Sequence, residues 1–202
     1  MPEEPSTRRA DGGVTKSELR ERQLRVRAGV SATEREQRDA ARTLLLLKDL
    51  GRPLLVASYL SRGGEPDTTH LASILWRRGT PLLVPAPGSP EHPWSQPAWA
   101  LYGEPLAAGP RGIPVAPGPQ LEADALHDAD LIILPGLAGT AEGVRLGTGG
   151  GWYDKALRHA SPSARLWLLL DDADVLSYVP SQPHDIAVHR IITSSGCIEC
   201  SR

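Results

Sequence analysis

Gly143-Val144-Arg145-Leu146-Gly147-Thr148-Gly149-Gly150-Gly151-Trp152-Tyr153-Asp154 follows Asp130-Leu131-Ile132-Ile133-Leu134-Pro135 after a short interval. The two segments together decide the fold. The apolar run reads as a buried strand. Trp152 to Ala160 reads as the first turns of a helix. A strand, a glycine-rich loop and a helix start make a natural anion site. Glycines let backbone N–H groups point inward, and a helix N-terminus carries partial positive charge. Arg145 adds planar, forked donors suited to phosphate. Asp154 adds a carboxylate suited to a hard cation such as Mg²⁺. The segment is not a P-loop, because no Gly-Lys-Ser/Thr follows the glycines. Trp152 stands where a dinucleotide fingerprint needs its third glycine. A flexible surface loop is the plain alternative, and the combination of Arg, glycines, aromatic pair and Asp argues against it.

The flanking segments alternate strand and helix. Upstream, Pro53 to Leu60 is a continuous apolar run with a proline at its start, as in a strand covered on both faces. Asp67-Thr68-Thr69 starts a helix that ends at Gly79, and Pro81 to Pro85 is the next strand. Strand, helix and strand in that order predict a parallel sheet. Irregular strands are expected near Ala98 to Tyr102, within a Pro- and Gly-rich stretch from Ala86 to Gln120. Downstream, Arg165 to Leu170 is a buried strand, and Ile191-Ile192-Thr193 is expected as the last one. Two helices precede the sheet. The first runs from Lys16 to about Ala28. The second runs to about Leu50, with Ser31 and Glu34 in capping-box form and Gly51 at its end. The expected fold is a three-layer α/β/α sandwich with a mostly parallel sheet, preceded by two N-terminal helices.

At 202 residues the chain reads as a single domain, residues 14–202, behind a polar leader, residues 1–13, that is expected to be disordered. The leader has no apolar stretch of the kind a signal peptide needs. A net charge of −2 gives no basic field for nucleic acid or a membrane surface. No apolar run is long enough to span a bilayer. Cys197 and Cys200 form a lone C-x-x-C near the end of the sequence. With no second pair to complete a zinc site, they read as incidental thiols on a loose tail. Phe is absent, so Leu and Trp must fill the core.

Several residues outside the loop are candidates for a site. Lys16 and Arg20 lie one turn apart on one helical face, which by itself suits a solvated charged face. Glu65 follows the first strand's carboxyl end, where open α/β sheets bind ligands, although exposed loop acids are common. Asp185 suits a turn cap. His184 reads as structural. Trp94, Trp99 and Tyr102 read by default as aromatics buried under a loop.

Arg145-Leu146-Gly147-x-Gly149-Gly150-Gly151-Trp152-Tyr153-Asp154 resembles the signature of the 5-formyltetrahydrofolate cyclo-ligases (5,10-methenyltetrahydrofolate synthetases). That signature runs Arg-Leu-Gly-x-Gly-x-Gly-Tyr-Tyr-Asp. Leu134-Pro135-Gly136-Leu137-Ala138 is similar to the family's Val-Pro-Gly-Leu-Ala. Tyr59, Ser61, Glu65 and Thr68 match its Tyr-x-Ser-x-x-x-Glu-x-x-Thr. Lys16-Ser17-Glu18-Leu19-Arg20 matches an N-terminal Lys-x-x-Leu-Arg, and the residues around His184-Asp185 match Pro-x-x-x-His-Asp-x-x-Val. The resemblance covers nearly all of the chain after the first dozen residues. Two stretches depart from it. Gly139-Thr140 stands where relatives carry an aromatic or aliphatic residue and Asp. Gly112-Ile113-Pro114-Val115 stands where they carry Gly-Ile-x-Glu-Pro. Thr148 also replaces a Tyr or Arg found in many relatives.

The resemblance implies an ATP- and Mg²⁺-dependent ligase that converts 5-formyltetrahydrofolate to 5,10-methenyltetrahydrofolate. The formyl oxygen is phosphorylated and N10 then closes the ring, a reaction that needs positioning and charge neutralisation more than a protein nucleophile. By resemblance Lys16, Arg20 and Arg145 hold the phosphates, with Lys16 and Arg145 acting in catalysis. Gly147, Thr148, Gly149, Gly150, Gly151, Trp152 and Tyr153 complete the ATP site. Asp154 and Asp185 take Mg²⁺, and Leu60 and Glu65 take the folate. Stacking of the loop aromatics on folate is the sharper reading of Trp94, Trp99 and Tyr102. A cytoplasmic monomer acting on free or polyglutamylated substrate is expected, with neither nucleic acid nor membrane as partner. The alternatives are a non-catalytic nucleotide- or folate-binding relative, suggested by Gly139-Thr140, and a sugar-phosphate isomerase or CoA-transferase-like enzyme of similar architecture.

Overall fold

The computed structural model describes residues 13–86, 96–109, 112–183 and 185–201. The expected leader, apart from Gly13, lies outside the described residues, as do Trp94 and His184.

Two helices come first, α1 (Lys16–Ala28) and α2 (Ala32–Asp49). Their caps differ from expectation. Ser31 accepts the Glu34 N–H at 3.3 Å, but the Glu34 carboxylate pairs with Arg38 one turn on. The reciprocal box closes on α1 instead, where Thr15 Oγ1 accepts the Glu18 N–H at 3.2 Å and Glu18 Oε2 accepts the Thr15 N–H at 2.8 Å. Gly51, with φ at 72°, ends the α2 segment as the sequence suggests.

The rest of the chain alternates as β1 (Val56–Ser58), α3 (Thr69–Arg77), β2 (Leu82–Pro85), β3 (Trp99–Leu101), β4 (Gln120–Leu121), β5 (Leu131–Pro135), β6 (Ala138–Gly139), β7 (Arg145–Leu146), α4 (Trp152–Ala156), β8 (Arg165–Leu169), β9 (Arg190–Ile192) and β10 (Cys197–Glu199). Eight strands form one sheet in the order β10-β9-β8-β5-β1-β2-β3-β4. Its centre, from β9 to β2, is parallel, and its two edges are antiparallel. β6 and β7 pair separately as a hairpin.

The central strands are apolar at most positions because both sheet faces are covered, with Ser58, Arg165 and Arg190 the polar exceptions at strand ends. Alternate residues go to opposite sides. Val56, Leu82, Val84, Leu131, Ile133, Trp167 and Leu169 meet Leu46 and Leu50 of the α2 segment and Leu71, Ala72 and Leu75 of α3. Ala57, Leu83, Ile132, Leu134, Leu166 and Leu168 meet Trp152 and Ala156 of α4, with Leu126 and Leu157 from short 3₁₀ turns. These are the three expected layers. α1 is placed differently, for its Leu19 packs on Leu137, Ala138 and Leu146 of the β6–β7 hairpin.

Three expectations about local structure need correction. The apolar run from Pro53 is not strand from its start: Leu54 is 82% exposed, and the N–H groups of Leu54 and Leu55 donate to Asp130 Oδ2 at 2.6 and 3.1 Å rather than to a ladder. β9 is not the last strand, because the chain turns at Thr193, whose N–H donates to the Gly196 carbonyl at 2.9 Å, and returns as β10. The C-terminal segment with its two thiols is therefore part of the sheet and not a loose tail. Burial raises both thiols above their ordinary value, Cys197 also through Asp49 and Cys200 through Glu199, so neither is an activated thiolate.

Candidate active site

The chain runs outward from β1 through β2, β3 and β4, then returns to the other side of β1 as β5. Parallel sheets open a crevice at such a reversal, beyond the carboxyl ends of the strands. Tyr59 and Leu60 leave β1 there, Pro85 ends β2, and Pro135-Gly136 leave β5. All five line one cleft of about 290 Å³. The residues that the resemblance assigns to ATP, Mg²⁺ and folate all line the same cleft: Lys16, Arg20, Leu60, Glu65, Arg145, Gly147, Thr148, Gly149, Gly150, Gly151, Trp152, Tyr153, Asp154 and Asp185.

The glycine loop leaves β7 and ends at Gly151, which caps α4 in the left-handed conformation with φ at 64°. Gly149 has φ at 100°, and a Cβ there would stand 3.4 Å from the Arg20 guanidinium. Only glycine meets both conditions cheaply. α4 is short, Trp152–Ala156, before it tightens into a 3₁₀ turn at Leu157–His159. So brief a helix contributes little macrodipole. Lys16, Arg20 and Arg145 around the loop add full positive charges to its backbone donors.

Those side chains come from both ends of the chain. Arg20 Nε donates to the Gly147 carbonyl at 2.9 Å, tying α1 to the loop. Arg145 is 92% buried in its side chain, since only 8% is exposed, and its Nη2 donates to Asp154 Oδ1 at 2.6 Å. Its Nη1 donates to the Pro135 carbonyl at 3.3 Å, while its buried Nε has no hydrogen-bond partner among the described residues. Burial pulls the guanidinium below its ordinary value, and Asp154, Tyr153 and Asp185 oppose that. Lys16 Nζ meets Asp185 Oδ2 at 2.8 Å, and the same oxygen accepts the Gln182 N–H at 2.8 Å.

Asp154 and Asp185 thus both act on one guanidinium, although they come from α4 and from the loop before β9. Among the described residues no group of three or more His, Cys, Asp or Glu side chains is placed to hold a metal by itself. Two carboxylates beside a lysine and two arginines fit Mg²⁺, which takes one or two carboxylates and completes its shell with phosphate oxygens and water.

The other part of the cleft is more apolar. Leu60 and Ile113 are 4% and 7% exposed. Glu65 Oε2 accepts the Arg62 N–H at 3.0 Å. Burial raises its carboxyl, and the Arg62 N–H, Arg62 and Arg27 counter this. Trp99 and Tyr102 are outside the cleft. Trp99 is fully buried and meets the Trp152 ring edge-on at 5.1 Å, so the default reading of a buried aromatic holds for it rather than folate stacking.

Sequence reasoning missed Arg62, Ile113 and Gln182 on the cleft wall. Arg62 and Gln182 occupy variable positions of the motifs and carry no signal of their own. Ile113 lies in the stretch that departs from the family pattern. The supports of α1 were also missed. Arg27 donates from Nε and Nη2 to Asp174 Oδ2 at 2.9 and 2.7 Å and from Nη2 to the Gly136 carbonyl at 2.6 Å, while Gln23 Nε2 donates to Asp174 Oδ1 at 2.9 Å. Gln23 and Arg27 continue the helical face of Lys16 and Arg20, and that continuation is the signal that could have found them. The other departure, Gly139-Thr140, is not on the cleft wall. A Cβ on Gly139 would meet Leu168 at 2.8 Å and Leu170 at 3.1 Å, so the glycine answers to core packing.

Three comparisons bear on this geometry. The model of the 5-formyltetrahydrofolate cyclo-ligase family matches residues 13–194. A 5-formyltetrahydrofolate cyclo-ligase of Mycolicibacterium smegmatis is 34% identical over 183 residues, covering 89% of this chain and 93% of that protein. The structure of Aquifex aeolicus 5,10-methenyltetrahydrofolate synthetase superposes with a TM-score of 0.78 at 26% identity, covering 93% of each chain. A Mycoplasma pneumoniae 5,10-methenyltetrahydrofolate synthetase shares the fold, with a TM-score of 0.68 at 16% identity over 90% of this chain and 99% of that one.

Proposed function

This chain belongs to the 5-formyltetrahydrofolate cyclo-ligase family, and from that premise we propose that it converts 5-formyltetrahydrofolate to 5,10-methenyltetrahydrofolate with Mg-ATP. The observation that carries the proposal is the meeting of Lys16, Arg20, Arg145, the glycine loop and two carboxylates in one cleft with Leu60 and Glu65.

The chemistry needs little covalent help from the protein. A formamide oxygen leaves poorly. Its lone pair forms a bond to the γ-phosphorus as the bond to the β–γ bridging oxygen breaks, and ADP departs with that electron pair. The N10 lone pair then attacks the formyl carbon, the carbon–oxygen bond breaks, and inorganic phosphate leaves with the former formyl oxygen. N10 gives up its proton. Both steps depend on alignment and on spreading phosphate charge.

The residues divide that work. Arg145 is held rigid by burial, Asp154 and the Pro135 carbonyl, which suits a fixed phosphate clamp. Lys16 and Arg20 reach the cleft from α1. Gly147, Thr148, Gly149, Gly150 and Gly151 bring backbone donors close to the triphosphate, and Trp152 and Tyr153 follow them on the cleft wall. Asp154 and Asp185 would hold Mg²⁺, which when bound neutralises phosphate charge. Leu60 and Ile113 give the folate an apolar surface, and Glu65 accepts hydrogen bonds from the pterin's amino and ring N–H groups. Among the described residues no helix is long and apolar enough to cross a membrane. A cytoplasmic monomer acting on free or polyglutamylated substrate fits this assignment.

The test is the absorbance of methenyl-folate formed from 5-formyltetrahydrofolate with Mg-ATP, together with stoichiometric ADP and phosphate. Nucleotide binding without product at high enzyme concentration would instead favour a non-catalytic relative.

A further inference from the structure

The contacts in the cleft form two groups. Lys16, Arg20, Arg145, Asp154 and Asp185 hold one another and the glycine loop. Arg62 and Glu65 form the second group on the opposite, more apolar part. Tyr153 belongs to both, for its phenol feels the charges of Glu65 and Arg145 alike. Its ring is fixed edge-on against Trp152 at 4.8 Å. Its hydroxyl is buried and has no hydrogen-bond partner among the described residues. The Arg145 Nε in the same cleft is in the same condition. Burying a polar group without a partner is costly. Two such groups able to donate, both on the wall of one cleft, call for a ligand rich in acceptor oxygens.

We infer that the Tyr153 hydroxyl is a further catalytic group, donating a hydrogen bond to an oxygen of the phosphoryl group in transit between ATP and the folate. This rests on the function proposed above. The acceptor is a non-bridging phosphoryl oxygen and not the formyl oxygen. A donor on the formyl oxygen would draw off the lone pair that attacks phosphorus. A donor on the phosphoryl group helps both steps, first as charge is spread over it and then as it leaves as inorganic phosphate. No proton is transferred in either step. A tyrosine phenol ordinarily titrates at about pH 10, so the hydroxyl is a neutral donor at neutral pH.

Tyr153→Phe keeps the ring and removes only the hydroxyl. With wild-type turnover established first, the variant should lose roughly 10²-fold in kcat, with KM for ATP and for 5-formyltetrahydrofolate within about twofold of the wild type. The ligand-free variant should melt at or above the wild-type temperature, because an unsatisfied buried hydroxyl has been removed. An unchanged kcat overturns the inference. So does a loss confined to KM for folate, which would make the hydroxyl a pterin contact, or a lowered melting temperature that accounts for the lost activity. Failure of the wild type to turn over would instead sink the proposed reaction and is read separately.

Discussion

Lys16 Nζ stands 2.8 Å from Asp185 Oδ2, joining side chains 169 positions apart. The pair closes the cleft between the first turn of α1 and the loop that precedes β9. Under the function proposed above, the two groups release each other when phosphate and Mg²⁺ bind. Their side chains are 26% and 21% exposed, so the exchange can proceed without opening the core.

Lys16→Ala and Arg20→Ala should weaken ATP use and leave folate binding largely intact. Each removes a charge-assisted phosphate contact worth about 1.5–3 kcal/mol, or roughly ten- to a hundredfold in KM for ATP or in kcat/KM. Steady-state kinetics with each substrate varied separately will show this. Wild-type ATP kinetics in both variants would return the pair to a solvated face.

Asp154→Asn and Asp185→Asn should each raise the Mg²⁺ concentration needed for half-maximal rate, because an amide lacks the charge a hard cation requires. Asp154 also neutralises the buried Arg145 guanidinium, so its variant should show a second effect absent from Asp185→Asn. Leaving that cation without its partner should lower the ligand-free melting temperature. Titration of rate against Mg²⁺, with melting curves, separates the two roles. Unchanged Mg²⁺ dependence in both variants would rule out the metal assignment.

Asp174→Ala should be the more destructive change although it is remote from the substrates. Arg27 and Asp174 are 5% and 0% exposed in their side chains, and removing one member of a buried ion pair costs about 3–5 kcal/mol. Asp174 also holds Gln23, and Arg27 holds the Gly136 carbonyl beside the cleft. A drop in urea midpoint with a raised KM for ATP is expected, since α1 carries Lys16 and Arg20. A variant as stable as the wild type would mean that α1 is held by its apolar contacts alone.

Glu65→Gln gives a pH signature. The Glu65 carboxyl is raised from its ordinary value of 4.5, first by burial. A raised folded-state value means that the folded protein holds this proton more tightly than the unfolded chain. The associated stability is fully present below about pH 4.5 and is lost as pH rises through the folded value. The amide does not titrate. Ligand-free Glu65→Gln should therefore gain melting temperature over the wild type at pH 7 and gain less at pH 4. Folate affinity should fall roughly tenfold or more, the worth of one hydrogen bond to a charged acceptor. Equal melting differences at the two pH values would contradict the burial of this carboxylate.

The sequence alone determined the alternation of strands and helices, the apolar runs covered on both faces, and the glycine loop between β7 and α4. These are local or periodic properties, since a strand buried on two faces is apolar at nearly every position and a left-handed turn such as Gly151 admits few residues but glycine. Motif spacing also carried the candidate residues, because Lys16, Glu65, Arg145 and Asp185 each lie in a short pattern that can be read without the fold. Tertiary structure decided what those residues touch. Nothing near Lys16 in the chain names Asp185, and Asp174 emerges as the buried partner of Arg27 only when α1 folds onto the β6–β7 hairpin. Gly139 shows the same limit. It reads as a lost functional position until Leu168 and Leu170 are seen to fill the space of its absent side chain. Long-range charge pairing and close packing depend on how the whole chain folds back on itself, and local pattern does not encode that.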